Sequence, residues 1–333
     1  MIDNRYLYAV GRTKVKETRL LTRSKVERFL EAKDAEELVK ALGETDYAEG
    51  VQQMHSAHDY ESFLRAESEK NLQYLSEVCP EKEVPYLFRL HYDVHNIKVL
   101  IKSTLTGEDQ EHLLIGLGNI PVKQLKEQIK DKVYYEMPQP LIEALQHIHN
   151  LIHEELDAQK VDVILDKGYY RAVFHLISHI RNPFLKTFYQ SKVDLINIKS
   201  FLRIRTMGYG KDFLAGTLLE QGKIGIDFYE RHFESPLDLF QNELILTDYG
   251  KYMAEGIEHY HQTGRLSLYE KLQDNYQMAL FRTTGTVAFG LETIVGYLFA
   301  REAELNLLRI LFIGKLNHLS EEQIRERMRD LYV

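Results

Sequence analysis

One pattern recurs three times in this chain and sets the size of its folding unit. Residues 92–105 read YDVHNIKVLIKSTL, residues 193–206 read VDLINIKSFLRIRT, and residues 296–316 read GYLFAREAELNLLRILFIGKL. In the first copy Asp93, Val94, Asn96, Ile97 and Lys98 form the pattern, and Asp194, Leu195, Asn197, Ile198 and Lys199 repeat it. Glu304, Leu305, Leu308 and Arg309 repeat it again, with Leu307 where the other two copies have Asn. The acids stand 101 and then 110 residues apart, a spacing that fits a triplicated domain and not a short solenoid repeat. Within each copy the apolar positions (Val94, Ile97, Ile101; Leu195, Ile198, Leu202; Leu305, Leu308, Phe312) fall on one helix face.

A chain of 333 residues has room for three domains of ordinary size. The expected units are residues 1–115, 116–212 and 213–333, with boundaries in the loop GLGNIP (116–121) and in the glycine-containing stretch 208–216. A second echo supports triplication: Thr45-Asp46-Tyr47 returns as Thr247-Asp248-Tyr249, and the middle unit lacks the word. Helical spacing dominates and only seven prolines interrupt it, so the expected class is all-α. Residues 160–165 alone suggest a brief extended segment. Capping boxes are expected at Ser24 with Glu27, at Asp34 with Glu37, and at Ser320 with Gln323, the last with Leu319 and Ile324 as a hydrophobic staple. Gly107 and Gly208 stand just past the first two repeat helices, and His318 takes that place in the third.

A net charge of −8 argues against nucleic acid or anionic lipid as a direct partner. The single cysteine, Cys79, cannot form an internal disulfide, and a reducing compartment such as the cytoplasm is expected. Residues 283–300 are apolar but hold Glu292 at their centre, three glycines and several threonines, which suits a closely packed buried helix better than a membrane span of about 20 apolar residues. The N-terminus shows no secretion signal.

Chemistry-bearing patterns are sparse. His149 with His153 and His175 with His179 stand four apart on expected helices, as do ligands in a helix-bundle metal site, yet no third ligand motif accompanies them. His55 and His58 carry no more weight. The two glycines of GLGNIP lack the context of a phosphate cradle, and no nucleophile motif is found. No catalytic residue, cofactor or metal is therefore expected. The structural positions singled out are Asp93, Asn96, Lys98, Asp194, Asn197, Lys199, Glu304 and Arg309, polar residues beside a core stripe that satisfy backbone groups or pair across helices.

Taken together, YLYAVGRTKVKETRLL near the N-terminus, ALGETDY, YDVHNIKVLIK and the C-terminal GYLFAREAELNLLRILFIGKLNHLSEEQIRERM resemble the C subunit of V-type and A-type rotary ATPases, the counterpart of the d subunit in eukaryotic V-ATPases. The resemblance spans the chain, with Leu307 as a departure. It implies three similar helical domains about a pseudo-threefold axis, forming a funnel with a central cavity. It further implies a non-catalytic central-stalk subunit whose partners are the membrane rotor ring and the central shaft, without membrane insertion, in a complex that transports protons or sodium. A helical scaffold of some other assembly is the alternative that the residues alone leave open.

Overall fold

Apolar spacing of three and four residues runs almost from end to end of the chain, and the backbone answers it with helices. The computed structural model describes residues 4–151, 156–284 and 290–330, and among them there are seventeen α-helices and no strand. The first are α1 (Leu7–Glu17), α2 (Arg23–Glu31), α3 (Ala35–Leu42), α4 (Ala48–Val51) and α5 (Tyr60–Val78). Next come α6 (Glu83–Thr106), α7 (Val122–Asp131), α8 (Gln139–Leu151), α9 (Ala158–Ile180) and α10 (Pro183–Thr206). Short helices α11 (Lys211–Thr217), α12 (Ile226–His232) and α13 (Leu237–Leu244) follow, then α14 (Gly250–Thr263), α15 (Ser267–Thr284), α16 (Leu291–Leu316) and α17 (Glu321–Arg327).

Two compact units emerge from the packing. One joins residues 1–80 to residues 248–333, and the other is residues 81–247. In the first unit α16 lies against α1, α3, α5, α15 and α17. Its core brings Leu21, Phe29, Leu38, Leu42, Tyr47 and Phe63 from the N-terminal part onto Leu305, Leu308, Leu311 and Phe312 of α16. The two ends of the chain thus share one apolar core. In the second unit α6 and α8 both pack on α9, and α10 adjoins α9 and α11.

Helix ends follow local chemistry. The Asp34 carboxylate accepts from the Glu37 amide at 2.8 Å and caps α3, and Ser320 and Gln323 form the reciprocal box that starts α17. Leu319 and Ile324 pack into the same core there. The cap of α2 differs from expectation: Thr22, two residues ahead of Ser24, accepts from the Lys25 amide. Residues 160–165 are not extended. They lie inside α9, because Asp157 caps the helix through the Lys160 amide and burial of Val161 and Leu165 outweighs the strand preference of the β-branched residues.

The apolar stretch 283–300 is divided between the end of α15 and the start of α16, and residues 285–289 lie outside the described part. From Leu291 to Ala300 it is almost wholly buried. No described helix is long and apolar enough to cross a membrane.

A left-handed residue follows all three repeat helices at the same repeat position. Gly107, Gly208 and His318 each adopt a left-handed backbone, with φ of 71°, 73° and 53°. After α10 the Tyr209 amide donates to the Ile204 carbonyl, and after α16 the Leu319 amide donates to the Gly314 carbonyl, the long bond of a Schellman turn in both cases. The Thr-Asp-Tyr words also match. The hydroxyls of Thr45 and Thr247 donate to the carbonyls of Leu42 and Leu244, each at 2.7 Å, and Tyr47 and Tyr249 are the buried residues that precede α4 and α14.

Candidate functional site

The repeated acid and Asn of the first two copies sit near the middle of a long helix and face a loop further along the chain. On α6, Asp93 is buried and takes the Asn119 amide at 3.1 Å on one oxygen and the Ile120 amide at 3.0 Å on the other. The Asn119 side chain adds a third bond at 2.8 Å. One turn later Asn96 clamps Ile115, its carboxamide nitrogen donating to the carbonyl at 2.8 Å and its oxygen accepting from the amide at 2.9 Å.

The second copy reproduces this almost atom for atom. Asp194 on α10 accepts from the Lys223 amide at 2.9 Å and from the Ile224 amide at 3.0 Å. Asn197 clamps Leu219 with the same pair of bonds, 2.8 and 2.9 Å. A short helix begins two residues after each held amide, α7 at Val122 and α12 at Ile226. These carboxylates therefore position the entry of the next helix and satisfy the buried amides of Ile120 and Ile224.

Two glycines make the approach possible. A Cβ on Gly118 would lie 2.1 Å from Asp93 Oδ1, and one on Gly222 would lie 2.0 Å from Asp194 Oδ1. Sequence reasoning passed over them, although a signal exists: Gly118-Asn119-Ile120 and Gly222-Lys223-Ile224 are the same Gly-polar-Ile word.

The third copy is completed from the opposite end of the chain. Glu304 on α16 accepts from the Leu21 amide, and α2 begins two residues later at Arg23. Its other oxygen accepts from the Tyr47 hydroxyl at 2.6 Å. Arg19 stands where the other copies have glycine, and the extra methylene of Glu lets the carboxylate span the gap. Leu307 replaces the clamping Asn and is buried in the core. The chain five residues ahead of Leu21 is the end of α1, where the helix already satisfies its own backbone, so a clamp there has nothing to hold.

A buried charge cluster surrounds Glu304 and has no counterpart in the other copies, where Leu90 and Ser191 take the place of Arg301. Arg301 is 4% exposed. It donates to Glu67 at 3.2 Å and to Glu304 at 3.3 Å, lies 3.5 Å from Asp46, and has its guanidinium 4.2 Å from the centre of the Tyr47 ring. Burial pushes the Glu304 carboxyl up against the opposing pull of Arg301, the Tyr47 hydroxyl and the Leu21 amide. Burial, and then the Glu304 charge, raises the Tyr47 phenol well above its ordinary range. Arg301 keeps its proton more firmly than usual because the surrounding acids and tyrosines outweigh its own burial. The Asp93 carboxyl is likewise raised by burial and lowered in part by the Ile120 and Asn119 donors.

The repeated bases lie nearer the surface. Lys98 pairs with Asp166 at 2.7 Å and reaches Asp162 at 3.7 Å, both on α9. Arg309 binds Glu61 of α5 with two bonds, 2.9 and 3.3 Å. Glu61 stands 32 residues ahead of Asp93, and Asp162 stands 32 residues ahead of Asp194, so the two pairs join equivalent places. Lys199 is half-buried on the matching turn of α10.

Among the described residues the histidine pairs gather no further ligands. His149 meets the Tyr134 hydroxyl, His153 lies outside the described residues, and His175 and His179 are exposed neighbours on α9. Among the described residues no group of three or more His, Cys, Asp or Glu side chains is arranged to hold a metal ion. Cys79 is a half-buried residue at the end of α5.

The fold and these joints define an all-α protein built on an internal repeat, in which a buried carboxylate on each repeat helix holds the entry of another helix. A known family matches such a chain along almost its whole length. The chain belongs to the family of the ATP synthase (C/AC39) subunit, whose model matches residues 9–327. It is 30% identical over 317 residues to the C subunit of the V-type sodium ATPase of Enterococcus hirae, covering 95% of this chain and 96% of that one. It is also 27% identical to the C subunit of the A-type ATP synthase of Methanocaldococcus jannaschii, covering 96% of this chain and 85% of that one.

Proposed function

We propose that this chain is a non-catalytic rotor subunit of a V/A-type ATPase, seated between the membrane ring of ion-binding subunits and the central shaft, where it transmits torque. The family match over residues 9–327 is the observation that carries the reading. The joints support it mechanically. A torque-bearing piece must not shear between its helices, and carboxylates bonded to two backbone amides hold loops to helices more firmly than apolar contact alone. The closure of the third motif by Leu21 and Tyr47 gives the two chain ends one shared core, so neither end is a loose strand under load.

On this reading the repeat extends to three similar domains, residues 1–115, 116–212 and 213–333, around a pseudo-threefold axis with a central cavity that receives the shaft. The subunit works at the cytoplasmic face, bound to the membrane only through protein, and the transported ion is a proton or sodium, chosen by the ring. The repeat residues Asp93, Asn96, Lys98, Asp194, Asn197, Lys199, Glu304 and Arg309 serve rigidity and do no chemistry. Copurification tests the assignment: the tagged chain, expressed in cells with the ring and shaft subunits, brings down both. A chain that stays monomeric at micromolar concentration and low salt beside the purified ring and shaft would overturn it.

A further inference from the structure

Helix α13 ends in an apolar face that is largely open to solvent. Helix α13 and its sister α3 are both eight residues long and lie 202 residues apart, and both are followed by the Thr-Asp-Tyr word. Each buries the same two positions, Leu38 and Leu42 in α3, Phe240 and Leu244 in α13. Phe240 is stacked on Phe201 with ring centres 4.3 Å apart, which fixes the helix in its unit. The outward positions differ completely. Glu37, Gly43 and Glu44 of the first site become Leu239, Ile245 and Leu246, which are 52%, 40% and 86% exposed.

The sister site carries Glu, Gly and Glu at these places, so the solvent-facing part of the apolar set costs solubility. Its frame is acidic: residues 234–248 hold Glu234, Asp238, Glu243 and Asp248 and no Lys or Arg. An anionic lipid surface is repelled by such a frame. A protein segment with apolar side chains set among lysines and arginines is attracted. Within a rotary ATPase the cytoplasmic loops of the membrane ring answer that description, because cytoplasmic loops of membrane proteins carry an excess of Lys and Arg.

We infer that Leu239, Ile245 and Leu246, framed by Asp238 and Glu234, form a docking seat for the basic cytoplasmic loops of the membrane ring. The inference rests on the rotor reading above and adds the face that meets the ring. Binding of the full-length chain to detergent-solubilised ring and, separately, to purified shaft subunits tests it at low and high salt. The wild-type chain is expected to bind the ring and to weaken as salt rises. The variant L239E/I245G/L246E, which installs the sister residues, is expected to lose about tenfold or more in ring affinity with an unchanged melting temperature. Leu246→Glu alone, at the most exposed of the three side chains, should shift ring affinity in the same direction. Ring binding as tight as wild type in both variants, or a loss confined to the shaft, overturns the seat. A wild-type chain that holds neither ring nor shaft overturns the rotor reading and the seat with it, which is a different result from a wild type and variants that bind the ring alike.

Discussion

At the scale of single residues, a buried carboxylate that accepts two backbone amides is costly to lose. Buried Asp194 takes the amide of buried Ile224 and that of Lys223 at the edge of the joint. Asp194→Ala strands both donors, and urea unfolding is expected to show a loss of about 2–4 kcal/mol. A loss below half a kcal/mol would mean that water or a shifted loop replaces the bonds. Arg301 is a second such case, since its removal leaves Glu67 and Glu304 buried without their cation. Arg301→Leu should cost about 3–5 kcal/mol, and pairing it with Glu67→Leu should restore part of the loss. A double variant whose loss equals the sum of the two single-variant losses would show that the two side chains are not coupled. The acid and Asn positions were visible in the sequence because they recur. Arg301 and the Tyr47 hydroxyl were not singled out, because each has a partner more than two hundred residues away that no local spacing reveals.

At the scale of elements, the repeat helices share a left-handed terminating residue, and only the third pays for it with a side chain. His318 holds φ of 53°, where Gly107 and Gly208 adopt the same conformation without a Cβ. His318→Gly is expected to stabilise the chain by about 0.5–1 kcal/mol, read as a higher midpoint in thermal unfolding. A lower midpoint would show that the imidazole makes a contact worth more than the strain. Periodicity and capping residues announced most helices correctly, since those signals are local. The expectations that failed were a short β-branched run inside α9 and the cap of α2. Burial of Val161 and Leu165 overrode strand preference in the first, and in the second Glu304 fixes Leu21 so that the helix starts just beyond it at Thr22.

For the molecule as a whole, pH stability on the alkaline side is set by buried phenols. Tyr47 and Tyr170 are buried, and burial raises both well above the ordinary tyrosine value. Below pH about 10 both the folded and the unfolded chain keep these protons, so stability does not depend on them. Above it the unfolded chain releases them while the folded chain does not, and stability falls as pH rises. Of the 21 tyrosines, the exposed ones should ionise first in a phenolate absorbance titration, and a later, steeper rise should coincide with loss of helical circular dichroism. A single smooth transition of all tyrosines with the helices intact would contradict this.

The sequence by itself determined the helical class, the three copies of the acid-bearing helix and the residues at its key positions, because periodicity and repetition are carried along the chain. Tertiary structure decided what those residues hold. The Asp93 carboxylate finds Ile120, Asp194 finds Ile224, and Glu304 turns to Leu21 at the far end of the chain. No local spacing encodes that last choice. It arises because the N-terminal helices and α16 share one apolar core, which brings the Leu21 amide to a carboxylate oxygen of buried Glu304.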